Sequence, residues 1–335
     1  MTALLANALS KNHSVLVLSR TMQGACPGFE LLPSVKCRSL KEGKGKLSIP
    51  AQIIEIRKIL KEERIDRVIN VDTGIGFYGI LAAKGLKHCR VVTWEHANYY
   101  NNWNSRIFPL LRRFAAKHSD AFVVLTERDK KNYAENIPNC APLHVIRNPA
   151  ETRAYSYDMG AKLILSAGQL LPIKQYDKAI EAAAKVLPLS PDWTWVICGE
   201  GPERIKLTEM IRTYGLTDRI LLPGNVRDMD AWYQRAAIFA LTSRMEGLPM
   251  VLLEAKSMGI PIVSFDIMTG PSDIVTDGVN GFLVPPDDVD ALAEKLRLLI
   301  ENDDLRRSFS LNTQNGMERF AWDHILSQWE ALLAE

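Results

Sequence analysis

The sequence predicts an α/β fold of two domains, each a parallel β-sheet with helices packed on both of its faces. Short apolar runs typical of buried strands alternate along the whole chain with longer segments of helical spacing. The chain has 335 residues, of which 47% are hydrophobic, enough for two separate cores. Strands that alternate with helices build βαβ units, and these units produce parallel sheets.

The first half of the chain predicts one such sheet. Thr2 to Lys11 has the spacing of an amphipathic helix, and Ser14 to Ser19 has the apolar character of a buried strand. The segments that follow are predicted as helix Gln52 to Glu62, strand Ile65 to Val71, loop Asp72 to Phe77, helix Gly79 to Lys87, strand Arg90 to Glu95, helix Phe108 to His118, strand Ala121 to Thr126 and the closing segment Leu143 to Pro149.

The second half repeats this alternation after a connection, residues 150–160, that contains few apolar residues. Its predicted elements are strand Leu163 to Ala167, helix Tyr176 to Leu187, strand Thr194 to Cys198, helix Glu203 to Tyr214, strand Ile220 to Leu222, helix Asp228 to Arg235, strand Ile238 to Leu241, helix Val251 to Met258, short strands at Pro261 to Phe265, Ile274 and Phe282 to Val284, and helices at Val289 to Ile300 and from Leu305 onward. The last segment, Phe320 to Leu333, has one apolar helical face, formed by Trp322, Ile325, Trp329 and Leu332.

Composition excludes several classes of protein. No apolar run approaches the roughly 18 to 20 residues that span a bilayer, and no cationic segment precedes the apolar residues at the start, so neither a membrane span nor a signal peptide is predicted. The five cysteines contain no Cys-x-x-Cys pair, which indicates neither a disulfide framework nor a zinc site: Cys26, Cys37, Cys89, Cys140 and Cys198. We expect a soluble or peripheral protein of the reducing cytoplasm.

The net charge of +2 conceals an asymmetry between the two halves. Residues 1–150 contain 23 lysines and arginines against 12 aspartates and glutamates, whereas residues 151–335 contain 18 against 27. A basic half suits nucleic acid, an anionic membrane face or a phosphorylated acceptor. Because no nucleic-acid-binding motif is present, we expect the membrane or the acceptor as partner, and no nucleic acid.

The most informative stretch runs from Ser243 to Ala255. Glu246 falls in a loop after a predicted strand, and Glu254, on the second turn of the following helix, can face the same crevice. Gly247 and Pro249 stand at the start of that helix, where free backbone amides bind anionic oxygens. Two carboxylates beside such a helix end fit a nucleotide diphosphate linked to a polyol. Spacing alone equally fits two solvated glutamates on a helix surface.

The stretch resembles the Glu-x7-Glu signature of family 4 of the retaining glycosyltransferases, through Glu246, Gly247 and Glu254-Ala255. The resemblance covers most of the chain and implies the GT-B fold, with two Rossmann-like domains facing a central cleft. It implies an acceptor-binding domain at residues 1–150, a nucleotide-sugar-binding domain at 151–317, and a C-terminal helix, 318–335, that crosses back onto the first domain. Family members normally begin with a strand and a Gly-rich turn, and we expect the N-terminal domain to lack both.

The resemblance also assigns the residues that bind the donor. Ser166 to Gln175 is similar to the family's Gly-Arg-Leu-x-x-x-Lys motif, in which the Arg and Lys grip the diphosphate; Lys174 keeps its charge, while Gln169 replaces the usual Arg. The alternative for Lys174 is a solvated lysine that opens a helix. By resemblance, Glu254 binds the ribose hydroxyls. The implied donor-binding residues are Gly168, Gln169, Lys174, Gly199, Val226, Glu246, Gly247, Leu248, Pro249 and Glu254.

His96 follows a predicted strand in the stretch Trp94 to Tyr99. A lone histidine is more often an ordinary polar residue, but in this family a histidine at this strand end lies close to the transferred sugar. The resemblance therefore implies two catalytic residues, His96 and Glu246, with the histidine contacting a sugar hydroxyl or stabilising an oxocarbenium-like transition state rather than acting as a nucleophile. Closure of the two domains is expected to bring His96 over the donor.

A metal site is not indicated. Asp228-Met229-Asp230 resembles the Asp-x-Asp pattern of the other main glycosyltransferase fold, but Asp228 precedes a predicted helix and is better explained as its N-cap. No other cluster of His, Asp and Glu has the spacing of metal ligands. We expect a metal-independent enzyme without a cofactor.

The segment Tyr100 to Lys117 interleaves apolar and basic side chains. Its apolar members are Trp103, Ile107, Phe108, Leu110, Leu111 and Phe114, and its basic members are Arg106, Arg112, Arg113 and Lys117. This pattern suits a helix on anionic lipid, where each basic residue contributes about 1 kcal/mol. It suits equally well a helix that packs its apolar face on the sheet, and opposite faces can serve both purposes.

The sequence thus predicts a retaining, metal-independent hexosyltransferase that moves a sugar from a nucleotide-sugar, with a UDP-sugar as the default. The expected acceptor is a cell-envelope glycan, either a lipid-linked oligosaccharide or lipopolysaccharide, at the cytoplasmic face of the membrane, as in bacterial lipopolysaccharide, capsule and exopolysaccharide synthesis. Two alternatives remain: a GT-B nucleotide-sugar epimerase, or a truncated non-catalytic remnant that binds nucleotide. A dinucleotide-binding oxidoreductase is disfavoured because no Gly-x-Gly-x-x-Gly stands between strand and helix.

Overall fold

The structure is a computed structural model that describes residues 1–20, 30–40, 48–102, 105–150 and 157–335. The chain divides into two compact units: unit 1 comprises Met1–Asn148 and Asp323–Glu335, and unit 2 comprises Pro149–Trp322. Trp103 of the predicted interfacial segment, Cys26, and residues 151–156 of the predicted connection lie outside the described residues.

Unit 1 alternates strands and helices along the chain. Its elements are α1 (Thr2–Leu9), β1 (Leu16–Ser19), β2 (Lys36–Ser39), α2 (Ile49–Glu62), β3 (Arg67–Val71), α3 (Thr73–Ala83), β4 (Arg90–Trp94), α4 (Phe108–His118), β5 (Ala121–Val124), α5 (Glu127–Asn136), β6 (Leu143–Val145) and α13 (Trp322–Ala334), whose first residue belongs to unit 2.

The strands of unit 1 form two parallel sheets. One has the order β3-β4-β5-β6, with Val68 opposite Val91 and Thr93 opposite Phe122. The other consists of β1 and β2, with Leu16 opposite Lys36. In the part of unit 1 that the structure describes, β1 and β3 are each hydrogen-bonded to one neighbouring strand only.

The predicted loop from Asp72 to Phe77 is wrong, because α3 already begins at Thr73. The Asp72 carboxylate caps the helix by accepting a hydrogen bond from Gly74 N at 2.7 Å. The glycines in and just after this segment look like turn signals, but Gly76 and Gly79 instead allow α3 to pack closely against its neighbours. A Cβ on Gly79 would lie 2.1 Å from the side chain of Asn70.

Two further elements of unit 1 were not predicted. Strand β2 is short, and helix α5 is so polar that only Asp129, Asn132 and Tyr133 are buried. A helix without an apolar stripe has no periodic signal in its sequence. The start of α5 is instead marked by an N-cap, since the Thr126 hydroxyl accepts a hydrogen bond from Asp129 N at 3.1 Å.

Helix α13 packs on unit 1 through the apolar face seen in the sequence. Ile325, Trp329 and Leu332 are buried, and the Trp329 ring meets Trp94 of β4 edge to face at 5.1 Å between centroids. The Arg67 guanidinium also donates a hydrogen bond to the carbonyl oxygen of Leu333 at 2.8 Å. The C-terminal residues are therefore part of the core of unit 1.

Unit 2 is a complete doubly wound sheet with the strand order β12-β11-β10-β7-β8-β9, all parallel. Its elements are β7 (Leu163–Ala167), α6 (Tyr176–Val186), β8 (Thr194–Cys198), α7 (Arg204–Thr213), β9 (Ile220–Gly224), α8 (Asp230–Gln234), β10 (Ile238–Leu241), α9 (Met250–Ser257), β11 (Ile262–Phe265), α10 (Pro271–Ile274), β12 (Gly281–Val284), α11 (Val289–Glu301) and α12 (Asp303–Asn312). The predicted strand at Ile274 is wrong, since this residue ends α10.

The inner strands β7, β10 and β11 are buried along their whole length, as expected for strands covered by helices on both faces. The chain order reverses beside β7, which pairs with β8 on one side and β10 on the other. Ligands of such sheets bind at this reversal, beyond the carboxyl ends of the strands. Within the described ranges, no helix combines the length and the apolar character needed to cross a membrane.

Candidate functional site

Two loops meet at the carboxyl ends of β7 and β8. Gly168 and Gly199, which follow these strands, have φ angles of +151° and +146°. The Gly168 amide donates a hydrogen bond to Cys198 O at 2.9 Å, and a Cβ on Gly199 would lie only 1.9 Å from Gly168 O. The close approach of the two loops therefore requires glycine at position 199.

A cavity of about 270 Å³ opens beside these loops. It is lined by Ala167, Gly168, Gln169, Cys198, Gly199, Asn225, Val226, Met229, Tyr233, Val251 and Glu254. The lining includes half of the residues predicted to bind the donor: Gly168, Gln169, Gly199, Val226 and Glu254. These five residues, from four separate loops and helices, thus lie close together in space, and their binding of the donor stays a prediction.

Glu254 is held in the cavity wall by a tyrosine that the sequence analysis did not single out. The Tyr233 phenol donates a hydrogen bond to Glu254 Oε2 at 2.7 Å. Tyr233 is 1% exposed, and its ring stacks near Phe239 at 5.9 Å between centroids. In the sequence it looks like an ordinary core residue of a short helix, so no local signal distinguished it.

Lys174 and Glu246 form an ion pair beside the cavity. Lys174 Nζ lies 2.6 Å from Glu246 Oε1, and the two side chains are 21% and 14% exposed. The Ser243 hydroxyl donates to the same oxygen at 2.7 Å, another contact that sequence reasoning missed. Lys174 Cε passes 3.6 Å from the position that a Cβ on Gly168 would take, which places the pair against the cavity loop.

Tyr176, the first residue of α6, is a second buried phenol at this place. Burial, and then the charge of Glu246, raise the pKa of Tyr176 well above its usual value. Its hydroxyl therefore stays protonated at physiological pH. That hydroxyl would lie 2.9 Å from a Cβ on Gly168, so this glycine also makes room for the phenol.

The turn that leads into α9 contains the remaining predicted residues, Gly247, Leu248 and Pro249. The Thr269 hydroxyl donates to Glu246 O at 2.6 Å, and a Cβ on Gly270 would lie 2.4 Å from Pro249 Cδ. Helix α9 has no side-chain cap, although Leu252 N in its first turn bonds to Pro249 O at 3.0 Å, and a helix start without such a cap suits an anion. These residues do not line the cavity; they lie next to it through the Lys174–Glu246 pair.

His96 lies in unit 1, directly after β4 and the buried Glu95. Its ring packs on Trp94 at 4.1 Å between centroids, and its buried Nε2 has no hydrogen-bond partner among the described residues. Burial, and then the Met1 ammonium, lower the pKa of His96 to about 4. The imidazole is therefore neutral at pH 7.

The backbone after His96 is fixed by polar contacts. The Arg112 guanidinium, on α4, donates to the carbonyl oxygens of Tyr99 and Asn101 and to Asn102 Oδ1, the last at 2.9 Å. Arg112 is 3% exposed, so this residue of the predicted interfacial segment points into the unit. Ile107 and Leu110 of the same segment are 63% and 67% exposed. Contact of this face with lipid stays a prediction.

Asp228 behaves as a helix cap, because its carboxylate accepts a hydrogen bond from Ala231 N at 3.1 Å. Within the ranges that the structure describes, no three His, Cys, Asp or Glu side chains are grouped so that they could hold a metal ion. Metal independence itself stays a prediction.

Comparison with known families decides the assignment. The family model described as Glycosyl transferases group 1 matches residues 149–316, and the model described as Glycosyltransferase Family 4 matches residues 1–153. The chain belongs to the glycosyl transferases group 1 family. The family resemblance drawn from the Glu246 and Glu254 motif is therefore confirmed.

Two bacterial proteins are similar in sequence to this chain. An exopolysaccharide phosphotransferase of Streptomyces coelicolor is 42% identical over 231 residues, which are 68% of this chain and 24% of the relative. The alpha-1,4-N-acetyl-D-galactosaminyltransferase of Campylobacter jejuni, named for a GalNAc-containing diNAcBac-PP-undecaprenol substrate, is 29% identical over 99% of this chain and 93% of its own length.

A solved structure supports the fold. TarM of Staphylococcus aureus, as a mutant in complex with fondaparinux, alpha-GlcNAc-glycerol and UDP, superposes with a TM-score of 0.76 at 22% identity, over 84% of this chain and 59% of that one. The expected GT-B fold with its two Rossmann-like domains is confirmed. This chain spans about a quarter of the Streptomyces relative and well over half of TarM.

Proposed function

We propose that the protein is a retaining glycosyltransferase that transfers a sugar from a UDP-sugar to a cell-envelope glycan. The observation that carries this proposal is the cavity of unit 2, in which Glu254 and the loop glycines lie together and the Lys174–Glu246 pair lies alongside. The cavity lining offers the Glu254 carboxylate for hydroxyl groups, and the neighbouring lysine and the start of α9 suit phosphates.

The donor is proposed to bind with its parts in a fixed order. Glu254 accepts hydrogen bonds from the ribose hydroxyls, while main-chain groups near Val226 contact the base. Lys174, Gln169 and the free amides of α9 hold the diphosphate, which gains negative charge as the glycosidic bond breaks. Lys174 leaves its pairing with Glu246 for the diphosphate, and Glu246 then accepts hydrogen bonds from the sugar.

Retention is proposed to follow from attack on the same face as the leaving group. The acceptor hydroxyl forms the new bond to the anomeric carbon as the bond to the diphosphate breaks, and the departing diphosphate takes the hydroxyl proton. Neutral His96 is proposed to hydrogen-bond a sugar hydroxyl, and unit 1 is proposed to bind the acceptor. Since Lys174 and α9 supply the positive charge, we propose that no metal is needed.

The acceptor is proposed to be a lipid-linked oligosaccharide or lipopolysaccharide at the cytoplasmic face of the membrane. Support comes from the excess of basic residues in residues 1–150 and from exposed apolar side chains on α4. It also comes from the relative whose name includes an undecaprenol-linked substrate.

The first test is calorimetric titration of the purified chain with UDP, with and without Mg²⁺. We expect binding without metal, and a loss of at least about tenfold in affinity for Lys174→Ala and Glu254→Ala, because each removes a direct contact. Lys178→Ala is the matched control, since this lysine pairs with Glu181 on α6 away from the cavity. Equal binding by all four proteins would contradict the donor assignment. UDP binding that requires Mg²⁺ would contradict metal independence.

The second test is incubation with UDP-sugars and with undecaprenyl diphosphate-linked or lipopolysaccharide acceptors, followed by NMR of the product. A new α linkage from an α-linked donor identifies retention. Turnover of the donor to a different UDP-sugar without an acceptor identifies an epimerase instead. Nucleotide binding without any turnover identifies a non-catalytic protein.

A further inference from the structure

Glu95, which directly precedes His96, is a fully buried acid that the proposed transfer does not use. Its carboxylate accepts three hydrogen bonds. Oε1 accepts from Ala97 N at 2.9 Å, and Oε2 accepts from the Thr73 hydroxyl at 2.6 Å and from the Tyr133 phenol at 3.1 Å. Thr73 opens α3 and Tyr133 lies on α5, and both are 0% exposed. One side chain thus ties the residue after His96 to two helices.

We propose that Glu95 is the positioning residue for His96: its carboxylate, anchored on α3 and α5, fixes the start of the loop that carries the imidazole. The anchoring follows from the contacts alone, whereas its importance for transfer rests on the proposed function of His96. His96 lies between the Glu95 backbone and the Ala97 amide that the same carboxylate binds. A shift of this carboxylate therefore moves the backbone on both sides of His96.

The rest of the loop is held by other groups. Arg112 binds the carbonyls of Tyr99 and Asn101, and Asp129 Oδ1 accepts from Tyr99 N at 2.8 Å. These contacts begin three residues after His96, too far along the chain to set its orientation. Closer to the histidine, the Glu95 carboxylate binds Ala97 N, the Glu95 amide binds Val123 O at 2.8 Å, and the imidazole packs on Trp94. A buried carboxylate without these donors would be costly, which makes the three bonds obligatory when Glu95 is ionised.

The ionisation of Glu95 falls in an accessible pH range. Burial, and then the charge of Asp72, raise the pKa of Glu95 to about 7, while the bonds from Thr73 and Ala97 and the charge of Arg112 act in the opposite direction. The donors therefore favour the charged form. Burial outweighs them, since the pKa stays raised. Opening that exposes Glu95 to water therefore releases a proton, so the loop is held most firmly at low pH and opens more easily as the pH rises towards 7.

Two titratable groups beside Glu95 have pKa values that are shifted away from this window. The pKa of Tyr133 is raised well above its usual value by burial and by Glu95 itself, and the pKa of His96 is lowered to about 4. Asp129 also faces this region from α5 and contributes to the raised pKa of Tyr133. A change in the loop between pH 6 and 8 that disappears with Glu95 thus belongs to Glu95.

The test is hydrogen exchange of the full chain at pH 6 and pH 8, followed in peptides that cover residues 96–102 and corrected for the intrinsic pH dependence. We expect wild-type protection to be about tenfold lower at pH 8, because the charged carboxylate is disfavoured by its burial and opening releases it to water. Glu95→Gln should abolish this difference, because the amide does not titrate. Glu135→Gln, on the exposed face of α5, is the control and should behave as wild type.

A pH effect that persists in Glu95→Gln, or that is absent from the wild type, would overturn the proposal. Thr73→Val provides a second variant if Glu95→Gln fails to fold. It removes one donor and should lower the protection of residues 96–102 at pH 8 several-fold. Unchanged protection in Thr73→Val would equally count against the anchor.

Transfer kinetics supply the functional readout once the screen above has identified a donor and an acceptor. We expect wild-type kcat to fall by up to about tenfold as the pH rises from 6 to 8, with the KM for the donor unchanged, and Glu95→Gln to show a flat profile. Identical pH profiles for the wild type and Glu95→Gln would show that Glu95 does not affect transfer. If no transfer is found, the proposed function fails, while hydrogen exchange still decides whether Glu95 anchors the loop.

Discussion

At the scale of single residues, the three glutamates of interest differ because their partners differ. Glu246 accepts from a lysine and a serine, Glu254 accepts from a buried tyrosine, and Glu95 is fully buried among neutral donors. Two of them border accessible space and can exchange partners for a ligand. The third is enclosed, so its proposed effect on chemistry is through the residue next to it.

Tyr233→Phe tests whether the orientation of Glu254 matters for the nucleotide. Loss of the phenol leaves Glu254 Oε2 without its donor at 2.7 Å, so the carboxylate is less well placed for the ribose. We expect the affinity for UDP to fall about three- to tenfold, which corresponds to about 1 kcal/mol. Calorimetric titration measures this effect. Tyr214→Phe, whose ring is 47% exposed, is the control, and equal affinities in the two variants would reject the role of Tyr233.

At the scale of elements, α3 shows how packing can reverse the usual meaning of glycine. Gly76 lies against α4 and β4, where an added Cβ would be 3.1 Å from Ala115 Cβ and 3.4 Å from Thr93 Oγ1. Gly79 lies against Asn70 of β3. Small residues here let the helix approach the sheet. The helix then begins at the carboxyl end of β3, beside the loop that carries His96.

Gly79→Ala tests this packing through the sign of its effect. In an exposed helix this change would stabilise by up to about 1 kcal/mol. Here the new Cβ would lie 2.1 Å from Asn70 Oδ1, and Asn70 is itself 8% exposed. We expect destabilisation of about 1–3 kcal/mol by urea unfolding. Leu81→Ala on the exposed face of α3 should cost less. A stabilised Gly79→Ala protein would show that the contact relaxes without strain.

At the scale of the whole molecule, charge is divided between the two halves of the chain. Residues 1–150 carry 23 basic against 12 acidic residues, while the rest of the chain is acidic. Arg106 and Arg113 are exposed near the exposed apolar side chains Ile107 and Leu110. We propose that long-range charge attracts this surface to an anionic bilayer and that the apolar side chains then enter the bilayer interface.

Sedimentation with lipid vesicles tests this attraction. We expect the chain to bind phosphatidylglycerol-containing vesicles and not neutral ones, with affinity that falls as salt rises. The double variant Arg106→Glu and Arg113→Glu should lose at least about tenfold in affinity, since each basic residue contributes about 1 kcal/mol. Arg212→Glu with Arg297→Glu, both exposed on unit 2, is the charge-matched control. Equal loss in both double variants would mean that net charge, not this surface, drives binding.

Much of the architecture was predictable because it depends on local patterns. Apolar runs such as Ile238 to Leu241 became buried strands, and the apolar face of the last helix became the face that packs. Prediction failed where the local sequence pattern was ambiguous or where no periodic pattern was present. Helix α5 has no apolar stripe, and the glycines of α3 imitate a loop.

The sequence alone determined the family and the order of the motifs. The motif residues Glu246, Gly247, Glu254 and Lys174 are recognised by their spacing along the chain, which needs no knowledge of the fold. The tertiary structure decided which groups hold these residues in place. Tyr233, Ser243, Thr73 and Tyr133 are brought to their partners by contacts between distant segments. No local periodicity in the sequence predicts such contacts, because hydrogen bonds between elements depend on how the elements pack. These bonds matter for stability because a buried polar group without a partner is costly.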